Sequence, residues 1–431
     1  MSEPNALSVV EVAQRIQDGT LSCEALMRAC IQRVEARNHD VKAVVSFDPD
    51  RALAAAQRQD ASQQASPQLR GIPFLAKDVI DSATLPTSYG SPIYRNHRSS
   101  LDAACIWALQ QQGAILLGKA ATSEFATRHP APTRNPLRLT HTPGGSSSGS
   151  AAAVADYMVP FALGTQSTGS ICRPASYCGI VGYKPSFDLF SRAGLKMTSQ
   201  SQETIGLLTR SARDAAFIVF NDLVDEPAGD SLVWPRMAVC RSSQWAFVAP
   251  AFSTALDTLL ERLGRSSQVV EHLTLDANFE TLVETQAAIF SYELAQALGN
   301  EYTRHPEALS DQLRARIVQG ARISIQSYLQ LRSSVEQAKS TLDRLFQGAD
   351  ILLYPASDSS AEDGLAYSGS PRFGALWTLL HLPTVTIPLG RTDNGMPFGV
   401  QLIGRFGTDR RVLATAHALE SLTDMTLQAP I

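Results

Sequence analysis

The chain has 431 residues, 44% of them hydrophobic and 18% charged, with a formal net charge of −4. That balance belongs to a globular protein with ample material for a core, and it gives no electrostatic reason to expect nucleic acid as a partner. No apolar run approaches the roughly 20 residues of a membrane span, and the N-terminus lacks the basic and apolar regions of a signal peptide, so no membrane partner is expected and the cytoplasm is the expected setting.

Residues 8–37 read as two amphipathic helices, with apolar residues at three- and four-residue spacing, Gly19 between them and Ser22 as an N-cap. A β-type run over 41–47, a helix from Arg51 and a polar linker over 62–71 follow. The segment GIPFLAKDVID at 71–81 is an apolar strand pattern with one lysine, Lys77, near its end. Two readings of Lys77 stay open: a solvated strand end, or a base projecting into a cleft where burial lowers its pKa.

A helix is predicted over 101–111 and a core strand over 114–117. The run GAILLGKA at 113–120 falls one residue short of a phosphate-binding P-loop. It is rejected because Ala120 stands where magnesium needs a hydroxyl and because the would-be loop is an apolar strand. Residues 142–184 then bring a Gly/Ser-rich loop, GGSSSGS, and a run of small residues. A short apolar segment follows, then a second loop, GTQSTGS, that ends at Ser170 with Arg173 three residues on.

Residues 186–209 read as loop-rich, 212–223 as a helix entered by Ser211, and 236–241 as a strand. Helical patterning dominates 249–345, broken by the β-like QVVEHLTL, and 349–355 is a buried strand pattern. After the loop and helix of SGSPRFGALWTLLHLP, the runs PTVTIPLG and PFGVQLIG form a strand pair turned by DNG at 393–395, and a last helix spans 410–422. Strands alternating with helices imply an α/β fold, a sheet covered by helices on both faces, in one compact domain.

Six cysteines form no CxxC pair and are expected to be reduced and mostly buried, and none of the eight histidines forms HxxxH or HExxH. Neither a metal nor a cofactor is expected. Residues 145–149 match G-x-S-x-G, the nucleophile elbow of α/β-hydrolases, but that turn needs a buried strand before it and here a polar, proline-containing loop precedes. A flexible linker fits no better, since core-type segments adjoin the loop directly.

The loops GGSSSGSAAAVA and GTQSTGSICRPASYCGIVGYKPS, with the upstream GIPFLAKD, resemble in type and order the three catalytic segments of the amidase signature family. The two N-terminal helices, GKAATSEFA, RNPLRLTHTPGG and the C-terminal strands also have counterparts, so nearly the whole chain is covered. The resemblance implies a single amidase domain over 1–431 built on a central twisted mixed β-sheet. Its parts are N-terminal helices at about 8–37, a catalytic core at about 65–225, a variable helical region at about 250–345 and a core return at about 349–431. It further implies Ser170 as nucleophile, Ser146 as bridging serine, Lys77 as base, and the backbone N–H groups of Ser167, Thr168, Gly169 and Ser170 as an oxyanion hole. Family members have a non-proline cis peptide at the position of Gly145–Ser146. The chemistry is coherent, because a serine hydroxyl needs a base and a neutral lysine can serve.

Two departures stand out. Thr168-Gly169 replaces the family's usual two glycines, and threonine suits φ > 0 poorly, so the position has ordinary dihedrals or the hole is reshaped. Arg173 lies three residues after Ser170 where many members have an arginine at two, which resembles the malonamidase branch, where the matching arginine binds a substrate carboxylate. The other reading makes Arg173 a structural ion pair. Arg128 and Arg372 are further pocket candidates. The expected function is hydrolysis of the C–N bond of a small linear amide, one that can carry a carboxylate. The expected partner is that small molecule, with a homodimer implied by the resemblance. Two alternatives are the A subunit of a tRNA-dependent amidotransferase, for which the chain is short and lacks a basic surface by composition, and a non-catalytic relative.

Overall fold

A computed structural model describes residues 3–62, 67–221, 234–265, 270–423 and 425. One sheet of eleven strands runs through it. The strands are β1 (Val44–Phe47), β2 (Pro73–Lys77), β3 (Ile115–Ala120), β4 (Phe161–Gln166), β5 (Val181–Lys184), β6 (Thr204–Thr209), β7 (Met237–Arg241), β8 (Val270–Thr274), β9 (Ile351–Pro355), β10 (Thr384–Arg391) and β11 (Pro397–Gly404). Their order is β1-β3-β2-β4-β6-β5-β10-β11-β9-β7-β8. β2 runs parallel to β3 and β4, and β7 parallel to β8 and β9, while the other pairs are antiparallel. The sheet is therefore mixed and carries helices, as expected. β2 and β4 are buried at every residue, which is why their sequences are continuous apolar runs rather than alternating ones.

Three elements depart from the sequence reading. The second N-terminal helix, Cys23–Val41, runs on past residue 37 and ends where Lys42 turns left-handed (φ 54°), so β1 begins only at Val44. β6 lies inside the stretch read as loop-rich. It is a strand because β4 and β5 pair with it on both sides, and Gly206 fits only without a Cβ, which would come 2.2 Å from the Tyr183 carbonyl oxygen. The helix from Ala212 stops at Phe220 with Asn221 left-handed, and residues 222 and 223 lie outside the described residues. The near-P-loop lysine has a structural use: Lys119, buried on β3, pairs with buried Asp78 at 3.3 Å and donates to Thr87 Oγ1 at 2.8 Å.

All six cysteines are free and buried. No helix among the described residues is long and apolar enough to cross a membrane.

The N-terminal helix pair is tied to the core through Asp156, just past the helix Ser148–Ala155. Its buried carboxylate meets Arg33 at 2.8 Å and Arg37 at 3.1 Å. Asp156→Ala would leave two largely buried guanidiniums without a counter-charge, an expected loss of about 3 kcal/mol in urea unfolding.

Candidate active site

β2 and β4 are parallel neighbours, so the chain leaves both at the same sheet edge, where ligands gather in open α/β sheets. Lys77 ends β2 and is wholly buried, which rules out the solvated strand end. Its Nζ lies 2.8 Å from Ser146 Oγ, 2.9 Å from Thr165 Oγ1 and 3.3 Å from the Thr165 carbonyl oxygen. Burial pushes the ammonium down to about 7, with Glu203 opposing and Arg173 adding to the shift. The carbonyl can only accept, whereas the hydroxyls can donate or accept, so three oxygens satisfy either an ammonium or a neutral amine.

The loop bearing Ser146 is fixed from several sides. The Gly145–Ser146 peptide is cis, Ser123 N–H donates to the Ser146 carbonyl at 3.3 Å, and Arg173 Nη2 donates to the Gly145 carbonyl. Ser147 Oγ donates to the Thr165 carbonyl at 3.1 Å and accepts from Thr165 N–H at 3.2 Å. The helix beginning at Ser148 can press against β3 because Gly149 has no Cβ; one would come 2.2 Å from Ala121 N.

The second loop is pinned by two glutamines. Gln166 Oε1 accepts from the N–H groups of Ile171 at 2.8 Å and Cys172 at 3.1 Å. Gln286 Nε2, from the helix Leu282–Ala297, donates to the Ser167 carbonyl at 3.0 Å and to Thr168 Oγ1 at 2.9 Å. Thr378 Oγ1 donates to the Thr168 carbonyl at 2.9 Å. Neither Thr168 nor Gly169 is left-handed, so the threonine sits there without the strain a two-glycine loop would suggest. Among the described residues, none of the amides of Ser167, Thr168, Gly169 and Ser170 donates to a protein acceptor. Four unspent donors in one turn make a site for developing negative charge.

Ser170 is partly exposed and faces a cavity of about 790 Å³. Its carbonyl accepts from Ser147 N–H at 3.3 Å, which joins the two loops. Among the described residues, Lys77 is the hydrogen-bond partner of the Ser146 hydroxyl and the Ser170 hydroxyl has none. Lys77 and Ser146 are thus in contact, and Ser170, tied to the first loop through Ser147 N–H, lines the cavity with no partner for its hydroxyl among the described residues.

The arginines divide. Arg173 lines the cavity but is almost fully buried, its Nε and Nη1 lack partners, and no ion pair forms among the described residues, contrary to the structural ion-pair reading. Arg128 lines the cavity. Arg372 does not, since its guanidinium stacks on the Phe247 ring at 3.8 Å and its Nε donates to Ser370 Oγ at 2.9 Å. Sequence reasoning passed over Thr165, Gln166, Gln286, Thr378 and Arg316. Only Gln166 carried a signal, a polar residue closing a buried apolar strand.

The Amidase family model matches residues 25–413. The chain belongs to the amidase signature family. It is an amidohydrolase, acting on amide C–N bonds. Among curated relatives, the A subunit of the glutamyl-tRNA(Gln) amidotransferase of Oleidesulfovibrio alaskensis is 30% identical, with 100% of each chain covered. Among solved structures, its namesake from Thermotoga maritima is 27% identical, with a TM-score of 0.80 over 98% of this chain and 96% of that one. The peptide amidase of Stenotrophomonas maltophilia is 26% identical, with a TM-score of 0.83 over 97% of both.

Family relatives with such different names give the malonamidase branch no specific support. They also correct the expected partners. A small amide as sole partner, with no nucleic acid and at most a homodimer, does not stand against relatives named as one subunit of an enzyme named for a tRNA. Net charge misled here because it averages over one chain and is silent on what a complex binds. Length is no objection either: the first relative aligns over 488 positions that cover 100% of each chain.

Within this family site, Gln286→Ala frees the Ser167 carbonyl and the Thr168 hydroxyl together. The expected result is a fall in kcat of about 10- to 100-fold with KM little changed, read from steady-state ammonium release.

Proposed function

We propose that the chain hydrolyses a small linear amide bearing a carboxylate, through an acyl-enzyme on Ser170, with Ser146 and Lys77 carrying the proton. The observation that carries this reading is the buried Lys77 Nζ, 2.8 Å from Ser146 Oγ and titrating at about 7. The neutral amine takes the Ser146 proton as Ser146 takes that of Ser170, and the Ser170 oxygen bonds to the amide carbon. The resulting oxyanion meets the unspent amides of residues 167–170. The C–N bond then breaks, the proton returns through Ser146 to the leaving amine, and water repeats the cycle on the ester to free the acid and restore Ser170. A panel of carboxylated and neutral amides assayed for amine release tests the reading; release from none of them contradicts it.

The curated relatives favour a second reading, in which the chain uses the same residues to release ammonia from glutamine within an amidotransferase complex. Both readings break the same kind of bond and differ in what receives the nitrogen. Glutaminase activity that requires glutamyl-tRNA(Gln) and chains co-purifying from the native cell would decide for the second. Turnover of a carboxylated amide by the isolated chain, indifferent to tRNA, would decide for the first.

A further inference from the structure

The cavity before Ser170 carries more positive charge than proton transfer uses. Arg128, Arg173 and Arg316 line it, and among the lining residues the one acid is Glu284, which is exposed. Among the described residues, none of the three arginines forms an ion pair. Arg173 is buried, Arg316 half-buried and Arg128 exposed at the cavity wall; three guanidiniums without a counter-charge around one cavity suit an anion.

They are not equivalent. Arg173 gives Nη2 to the Gly145 carbonyl, while its Nε and Nη1 are sealed from solvent. A Cβ on Gly369 would come 2.8 Å from Arg173 Cδ, so the stem of the side chain packs closely on that glycine and holds the guanidinium against the Ser146 loop. Arg316, on the helix Asp311–Ala321, stacks on the Phe290 ring at 4.5 Å and gives Nε to Ser291 Oγ at 3.2 Å. That arrangement fixes its plane, and its remaining nitrogens are not sealed. Arg128 follows two left-handed non-glycine residues, Phe125 (φ 44°) and Ala126 (φ 56°), a rare pairing in the turn that carries Ala126, Thr127 and Arg128 to the cavity wall. Burial and then the charge of Arg128 push the Arg316 guanidinium down to about 10, which places the two within electrostatic reach of each other.

We infer that Arg128 and Arg316 form the seat for a substrate carboxylate remote from the scissile bond, that the substrate carries no ammonium beside that carboxylate, and that Arg173 is a positioning residue for the Ser146 loop. An ammonium there would face like charges, with only the exposed Glu284 to meet it. The substrate class is the monoamide of a dicarboxylic acid, and the inference rests on the amide-hydrolysis reading above.

Calorimetry on the full-length Ser170→Ala protein tests it, with glutaramate, glutamine and the neutral valeramide as probes. Glutaramate is expected to bind at least about 10-fold tighter than either other probe, and its affinity to fall about 10-fold or more in Arg128→Gln and in Arg316→Gln. Arg316→Lys, which keeps the charge and loses the fork, should fall between. Arg173→Gln should leave glutaramate affinity within about threefold while lowering kcat in the protein that retains Ser170. Unchanged affinity in both glutamine variants, loss confined to Arg173→Gln, or glutamine binding as tightly as glutaramate would overturn the inference. Binding is read without the Ser170 hydroxyl, so an active-site protein that hydrolysed no amide would count against the proposed function and not against the seat.

Discussion

Ser170→Ala is expected to lower kcat by about 10^4- to 10^6-fold while leaving the fold and substrate affinity in place. The Ser170 hydroxyl forms no hydrogen bond among the described residues and opens onto the cavity, so its removal strands no buried polar group. Thermal unfolding should therefore shift by no more than about 0.5 kcal/mol equivalent. The residual rate would come from the amides of 167–170, which Gln166 and Gln286 hold in place with or without the serine. Ammonium release by the purified variant beside its melting curve gives both readings. Activity within about tenfold of the parent would remove Ser170 from the chemistry.

Lys77→Ala is expected to cost about 10^3- to 10^4-fold in kcat/KM and to change the pH profile as well as the rate. In the proposed mechanism the lysine acts as a neutral amine, so the rate of the parent should climb as pH rises through about 7 and level off above it. The variant's residual rate should lack that limb. A stability signature accompanies it. Burial depresses the folded pKa from the ordinary 10.5 to about 7, so between those pH values the unfolded chain holds a proton that the folded chain lacks. Stability therefore rises with pH across that window by the share this group contributes, and the share is fully lost at and below about pH 7. Lys77→Met, which keeps the bulk without the charge, should flatten that part of the curve in urea titrations from pH 7 to pH 10.

The three segments that meet at the candidate site were readable because they combine features that rarely coincide: a lone lysine ending an apolar strand, and two Gly/Ser loops separated by a short core segment. The burial of Lys77 follows from its position on a strand that has neighbours on both sides. β6 was not readable, since its strand character comes from pairing with β4 and β5, not from its own short sequence. Arg316 was missed for a similar reason. It lies in a helical region without motifs, and only the folded chain brings it to the wall shared by Ser170 and Arg128. Gln286, 116 residues beyond Ser170, is another such case, because a side-chain amide that braces a distant loop leaves no local pattern. At Thr168 the sequence left two readings open, and the dihedrals are the ordinary ones of the first: no left-handed turn is needed there.

The proposed mechanism requires Ser170 as the nucleophile and Lys77 as the group that activates it. The most direct test is labelling of the intact chain with a fluorophosphonate, the modified residue being located by mass spectrometry across pH 5 to pH 9. A single label on Ser170 is expected, with a rate that rises through about pH 7, and loss of that pH dependence in Lys77→Ala. A label on Ser146 or another serine, or labelling of Ser170 at the same rate and with the same pH dependence in Lys77→Ala, would contradict it.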